Sequence, residues 1–288
     1  MQKGRIIKLI GGQYTVLDEN NKRHVLKPRG VFRHRDIAPK VGDIVDFDTD
    51  SIHHVYDRHN DLVRPPVSNI DQAIILNAAK QPDFSFHLLD RFLVLVEKED
   101  VQPIIVVSKI DLMTKEELHT LKTQMQYYET MYKVIYTSVK DPQSLEPLKA
   151  ILKDKISVFA GQTGSGKSSL LNALDIKLKL ETGEISKALG RGRHTTRHSE
   201  LLTLYDGLVA DTPGFSKLDF FDIDTDDLPL FYPDFFERSK ACKFRACHHI
   251  NEPSCAVKKA VESGEILKER YQNYVLIHEE IQTQKKKY

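Results

Sequence analysis

Ile156-Ser157-Val158-Phe159-Ala160-Gly161-Gln162-Thr163-Gly164-Ser165-Gly166-Lys167-Ser168-Ser169-Leu170-Leu171-Asn172-Ala173-Leu174 reads as an apolar run, a glycine-rich turn and a leucine-bearing helix, in that order. Residues Gly161 to Ser168 match G-x-x-x-x-G-K-[ST], and a strand before with a helix after is the context that this motif requires. Glycines let the chain curl so that successive N–H groups and the helix N-terminus point at phosphate oxygens. Lys167 adds a cation, and the Ser168 hydroxyl is placed to ligate Mg²⁺. The expected phosphate cradle is therefore Gly161, Gln162, Thr163, Gly164, Ser165, Gly166, Lys167, Ser168 and Ser169. A glycine-rich turn that merely precedes Lys-Ser is the plain alternative, and the flanks argue against it.

Toward the C-terminus, LLTLYDGLVA (201–210) is another strand-like run and ends in Asp211-Thr212-Pro213-Gly214. Downstream of a phosphate loop, DxxG suits an Asp that holds Mg²⁺ through water and a Gly whose N–H meets a γ-phosphate. An ordinary Asp-Pro-Gly turn is the alternative. Between the two motifs lies Gly190-Arg191-Gly192-Arg193-His194-Thr195-Thr196-Arg197-His198, polar and too long for a tight turn. A threonine there completes a Mg²⁺ shell only when a γ-phosphate is present, so the segment is expected to order with nucleotide. Thr196 is the first choice and Thr195 the second. The expected magnesium set is Ser168, Thr196 and Asp211.

Toward the N-terminus, DQAIIL (71–76) and PIIVVS (103–108) are continuous apolar runs with helix-like HLLDRFLVLVEKE (87–99) between them. Strands buried on both faces and alternating with helices indicate an α/β domain with a mainly parallel sheet. Ser108-Lys109-Ile110-Asp111 ends the second run and resembles the guanine-reading N-K-x-D motif. Guanine presents N1–H and N2–H₂ as adjacent donors, and the Asp111 carboxylate can accept both, with Lys109 flanking the base. Tyr136-Thr137-Ser138-Val139-Lys140 ends another strand and resembles the S-A-K loop, whose backbone N–H contacts guanine O6, with Ser138 as its GTP-binding candidate.

The two ends of the chain read differently. From Met1 to about Ser68, five short alternating runs (RIIKLI, QYTVLD, RHVLK, VGDIVDF, SIHHVYD) suggest a small β-barrel, and Pro65-Pro66 marks a linker after it. KPRGVFRHR (27–35) is a basic, acid-free loop between barrel strands; Lys27, Arg29, Arg33 and Arg35 are its nucleic-acid candidates, with a solvated loop as the alternative. All three cysteines, Cys242, Cys247 and Cys255, fall close together with His248 and His249, enough for a tetrahedral structural Zn²⁺ site. A redox pair is the other reading, disfavoured because there is no C-x-x-C. Leu267, Tyr271, Tyr274, Ile277 and Ile281 recur at helical spacing near the end.

The order of the motifs is decisive. An ordinary GTPase runs phosphate loop, switch threonine, DxxG, base motif and S-A-K, whereas here the base motifs precede the phosphate loop. With GRGRHTTRH, DTPGF and the cysteine cluster, this order resembles the circularly permuted GTPases that assist small ribosomal subunit assembly in bacteria, over essentially the whole chain. The resemblance implies an OB-type RNA-binding barrel over 1–67, a circularly permuted GTPase domain over 68–218 and a mainly helical zinc-binding domain over 219–288. It implies Cys242, Cys247, His249 and Cys255 as zinc ligands and Mg²⁺ carried with GTP. Catalysis would rest on Lys167, Thr196, His194 and Gly214, and GTP binding on Ser108, Lys109, Asp111, Ser138 and the phosphate cradle. The partners would be GTP or GDP and the small ribosomal subunit with its rRNA, met by a monomer. Two departures stand out. Ser108 replaces the usual Asn, losing an amide that pairs with guanine N7 and braces the phosphate loop. Phe215 follows DxxG where Ras-like enzymes carry a water-orienting Gln; His194 is a candidate to position water, with an ordinary polar loop residue as the alternative.

Composition sets the outer bounds. A chain of 288 residues has room for two or three domains. With 42 Lys and Arg against 41 Asp and Glu, the net charge of +1 gives no global field for nucleic acid, so such a partner must be held by a local patch. No apolar run approaches the roughly 20 residues that span a bilayer, and the start does not read as a signal peptide. A cytoplasmic protein with no membrane partner is expected. Two other readings stay open from the residues alone: a P-loop ATPase or kinase without ribosomal role, and a non-enzymatic nucleotide-dependent RNA-binding protein.

Overall fold

Alternation in the first segment becomes five strands: β1 (Gln2–Ile10), β2 (Gln13–Asp18), β3 (Arg23–Pro28), β4 (Ile44–Phe47) and β5 (Ser51–Val55). The computed structural model describes residues 1–28, 38–63, 65–174, 199–210 and 218–285. β1 pairs with β2 and β4, β2 with β3, β3 with β5 and β5 with β4, so the strands close on themselves around Ile6, Val16, Leu26, Val45, Phe47 and Ile52. A bulge between Ile6 and Lys8 lets Ile6 and Ile7 both be buried, which strict alternation forbids. Beyond the bulge, Lys8 and Leu9 stay paired with Thr15 and Tyr14 of β2 in a shifted register and pair on their other edge with Glu200 and Ser199. The Pro65-Pro66 stretch is not a free linker. Val67 bridges to Val41, and the buried Ser68 hydroxyl donates to Asp43 at 2.6 Å. Asp43 also takes two bonds from Arg58, at 2.7 and 2.8 Å, which clamp the junction to the barrel.

The apolar runs after it form β6 (Gln72–Ala78), β7 (Gln102–Ser108), β8 (Lys133–Tyr136) and β9 (Ile156–Ala160), all parallel, with β11 (Gly207–Ala210) parallel to β9 and β10 (Ser199–Leu204) antiparallel to β11. The order across the sheet is β10-β11-β9-β6-β7-β8. The chain enters at β6, builds outward to β8, then returns to insert β9 between β6 and β11. The phosphate loop and the two base motifs thus share the C-terminal edge of neighbouring parallel strands although their chain order is permuted. Helices α1 (Phe86–Lys98) and α2 (Lys115–Glu129) belong to the larger apolar core that extends from the barrel to the C-terminal segment. Helices α3 (Glu146–Leu152) and α4 (Lys167–Leu174) cover the other face with Leu148, Leu152, Leu170, Leu171 and Leu174 over Ile74, Leu76, Ile104 and Phe159.

The C-terminal segment carries α5 (Pro233–Ser239), α6 (Ala256–Glu262) and α7 (Lys268–Lys285), and the predicted stripe buries Tyr274, Ile277 and Ile281. It is joined to the sheet domain by buried charge. The Arg270 guanidinium, 1% exposed, donates to Asp90 of α1 at 2.5 Å and to Asp234 of α5 at 2.8 and 3.1 Å. Asn273 and Tyr128 also donate to Asp90, at 2.7 and 3.1 Å. Among the described residues, no helix is long and apolar enough to cross a membrane.

Candidate functional site

The phosphate loop leaves the end of β9 through Gly161, whose φ of +143° and whose missing side chain are both required. A Cβ there would stand 2.4 Å from the Leu76 carbonyl oxygen of β6, so any other residue would force the loop off the sheet. Gln162 and Ser165 close a turn by a 3.2 Å backbone bond, and α4 begins at Lys167. The Lys167 ammonium donates to the Gly161 carbonyl and so spans the mouth of the loop. Burial lowers its pKa from the ordinary lysine value, a cost that a phosphate anion in the loop would offset. Gln162, Thr163, Gly164, Ser168 and Ser169 line the accessible side, while Ser165 is buried.

The first base motif lies against this loop, and the second is bonded to the first. Ser108, at the end of β7, donates its hydroxyl proton to the Ser165 carbonyl at 2.7 Å. The bracing expected to be lost with asparagine is therefore kept by the shorter side chain. Lys109 takes a left-handed backbone with φ 55°, and its ammonium donates to the Gly164 carbonyl at 2.7 Å and to the Gln81 carbonyl. It thus ties the phosphate loop to the β6–α1 connection, a role additional to the flanking one expected. Asp111 accepts from the Ser138 hydroxyl at 2.6 Å on one oxygen and from the Lys140 ammonium at 2.9 Å on the other. These bonds, Ser138 first, hold its carboxyl below the usual carboxylate range, so it faces a base as an anion. Ser144 accepts from the Ser138 backbone N–H at 2.9 Å and fixes the loop from behind.

Sequence reasoning missed Gln81, Lys140 as an ion-pair partner, and Ser144. Only the lysine carried a signal, as part of the S-A-K resemblance. His194, Thr195, Thr196, Asp211, Gly214 and Phe215 lie outside the described residues, as do Arg29, Arg33 and Arg35. Lys27 is exposed, but it belongs to strand β3 and not to the loop that follows.

The cysteine cluster is brought together. Ligand atoms of Cys242, Cys247, His249 and Cys255 all lie within 4.8 Å of one another. His249 Nδ1 stands 3.2 Å from Cys255 Sγ and 3.7 Å from Cys242 Sγ, and the two sulfurs are 4.0 Å apart. Tetrahedral zinc with sulfur at about 2.3 Å and nitrogen at about 2.0–2.1 Å needs edges of about 3.5–3.8 Å, so this donor set fits. The Ala256 and Lys258 N–H groups at the start of α6 donate to Cys242 and Cys255 at 3.3 and 3.5 Å, as they would to thiolates. Burial pushes the Cys247 thiol up to about 12 and the His249 imidazole down to about 4; a divalent cation would reverse the first by holding the thiolate. Tyr271 and Tyr274 of α7 donate to the His249 and His248 carbonyls at 2.8 and 2.6 Å, and Glu252 accepts from the His248 and Ile250 N–H groups. The YxxY pair was legible only as an amphipathic stripe.

Comparison with known proteins agrees with this architecture. The family model described as RsgA GTPase matches residues 55–221, and that described as RsgA N-terminal domain matches residues 3–56. The chain is 50% identical to "Small ribosomal subunit biogenesis GTPase RsgA 2" of Oceanobacillus iheyensis, with all of both chains covered. It is 48% identical to the similarly named protein of Bacillus subtilis, again with full coverage of both. Among solved structures, YloQ, described as a circularly permuted GTPase, is 44% identical with a TM-score of 0.86, covering 99% of this chain and 96% of that one. YjeQ from Thermotoga maritima is 36% identical with a TM-score of 0.86, covering 97% and 98%. Full-length relatives at this identity, and the permuted strand order they share, place the chain in the RsgA GTPase family.

Proposed function

We propose that this protein hydrolyses GTP to GDP and phosphate, and that nucleotide state controls its docking on and release from the small ribosomal subunit during late assembly. The observation that carries the reading is the joint geometry at the sheet edge: an anionic Asp111 held by Ser138, beside a phosphate loop braced by Ser108 and Lys109. An anionic Asp111 matches guanine's paired donors and opposes adenine, whose N1 is an acceptor. Relatives that share the full length are named for small ribosomal subunit biogenesis, and that role comes to this chain with the family.

In this reading the backbone N–H groups from Gly161 to Ser169 and the Lys167 ammonium hold the phosphates, while Asp111 and the loop that begins at Ser138 read the base. Ser168, Thr196 and Asp211 would hold Mg²⁺, which supplies charge neutralisation at the β- and γ-phosphates. Gly214 would contact the γ-phosphate, and His194 would orient the attacking water. Cys242, Cys247, His249 and Cys255 would hold one Zn²⁺, a structural ion that fixes a loop with little core of its own. Three modules divide the work: a barrel over 1–67 that meets rRNA through Lys27, Arg29, Arg33 and Arg35, the GTPase over 68–218, and the zinc-binding domain over 219–288. The protein works as a monomer in the cytoplasm. Equilibrium competition against a fluorescent guanine nucleotide tests the base assignment. GTP and GDP should compete and ATP should not; equal competition by ATP would sink it.

A further inference from the structure

Guanine shows a protein two kinds of edge. Its N1–H and N2–H₂ are donors, matched by Asp111, whereas N7 is an acceptor and needs a donor from the protein. The residue that stands over N7 in the N-K-x-D motif is the first one, which here is Ser108. An asparagine amide carries two N–H donors and can brace the phosphate loop with one while offering the other to the base. A serine has a single O–H proton. In this chain that proton is given to the Ser165 carbonyl at 2.7 Å, with the Asn77 carbonyl at 3.4 Å as the only other acceptor among the described residues, and Ser108 is 5% exposed. The neighbouring Lys109 ammonium is tied to the Gly164 and Gln81 carbonyls.

The surroundings of Ser108 carry the imprint of the shorter side chain. Thr137 sits at the adjacent strand end, its backbone N–H bonded to the Val107 carbonyl at 2.8 Å. Its Oγ1 is buried and has no hydrogen-bond partner among the described residues, as is also true of Ser165 Oγ. Buried hydroxyls are satisfied in the large majority of cases. The Asn77 amide, on the strand beside Ser108, is likewise buried without a partner among the described residues, so the polar groups around this strand end are under-bonded with serine at 108.

We propose that Ser108 is a specificity-determining residue that leaves guanine N7 unread, so that the base is recognised by Asp111 and the Ser138 loop without a third contact. This rests on the guanine assignment made above. It predicts weaker retention of nucleotide than an asparagine would give, hence faster exchange, and indifference to the atom at position 7 of the purine.

The test is equilibrium competition by GDP, 7-deaza-GDP and ADP against a fluorescent GDP analogue, using the full-length wild-type protein and Ser108→Asn. The wild type should bind GDP and 7-deaza-GDP within about twofold of each other. In Ser108→Asn, GDP should tighten by about 2–10-fold, the worth of one added hydrogen bond, while 7-deaza-GDP lags behind it. A tenfold or larger loss on 7-deaza-GDP in the wild type would overturn the proposal without any variant being needed, and so would a Ser108→Asn protein that gains equally on both. Competition by ADP as strong as by GDP would instead overturn the guanine assignment beneath it.

Discussion

At the scale of single residues, Asp111 and Lys167 carry the chemistry in different ways. Asp111 is an anion whose two oxygens are aligned by Ser138 and Lys140. Asp111→Ala should weaken GDP binding by roughly 10–100-fold, the worth of hydrogen bonds to a charged group, while leaving the unfolding midpoint within a degree or two; titration calorimetry reads the first and thermal unfolding the second. Lys167 is partly buried before any phosphate arrives, which lowers its pKa, and its ammonium rests on the Gly161 carbonyl. Lys167→Ala should abolish turnover, and wild-type rates in a phosphate-release assay would remove the phosphate-loop assignment. These residues were legible because glycine spacing and a lone carboxylate have local signatures. The bonds that make them work were not. Ser138 and Asp111 meet from different strands, and that a serine could keep the bracing role of asparagine at 108 depends on the Ser165 carbonyl lying 2.7 Å away, a distance that no pattern encodes.

At the scale of elements, two small units add polar groups to their apolar core. In the barrel, Asp48 caps the turn between β4 and β5, accepting from the Asp50 and Ser51 N–H groups at 2.9 and 2.8 Å and bonding His53 at 2.5 Å. Asp18 does the same before β3 with His24 and with the Lys22 and Asn20 N–H groups. Both carboxyls lie below the usual carboxylate range for these reasons. A depressed folded-state value means that their contribution is complete above the unfolded value of about 3.9 and is lost as pH falls below it. Asp48→Asn should therefore flatten the acid limb of a stability–pH curve below about pH 4, and an unchanged limb would refute the turn's part in it. In the cysteine unit, metal binding is expected to be folding energy. Freshly purified protein should carry about one zinc, and Cys255→Ser should lose most of it with a lower unfolding midpoint; near-zero zinc in the wild type by elemental analysis would count against the site. Strand–helix alternation made most elements legible. The bulge after Ile6 was not, since it is invisible to a period of two and is decided by which side chains the barrel must bury.

At the scale of the whole molecule, the modules are continuous with one another. β1 runs from the barrel into a two-residue pairing with β10, reinforced by a 2.7 Å Lys8–Glu200 ion pair, and Arg270 draws α1, α2 and α5 onto α7 around Asp90. Removing Asp90 leaves that guanidinium buried with one fewer partner, and Asp90→Ala should cost about 3–5 kcal/mol in denaturant unfolding. A double variant with apolar residues at 90 and 270 should lose less. The module order was legible from motif order alone, because permutation preserves which strand end each motif occupies. The joints were not, because Asp90 and Arg270 are far apart in sequence and each reads as an ordinary surface charge. Near-neutrality also conceals local charge, since a total of +1 averages a basic barrel segment with an acidic one around Asp219–Asp227. The central claim is that GTP hydrolysis is coupled to the small ribosomal subunit. It is tested most directly by measuring phosphate release from GTP across a titration of purified small subunits. The account predicts slow turnover that rises saturably with subunit concentration and vanishes in Lys167→Ala. A rate unchanged by subunits, or no GTP hydrolysis at any concentration, would contradict it.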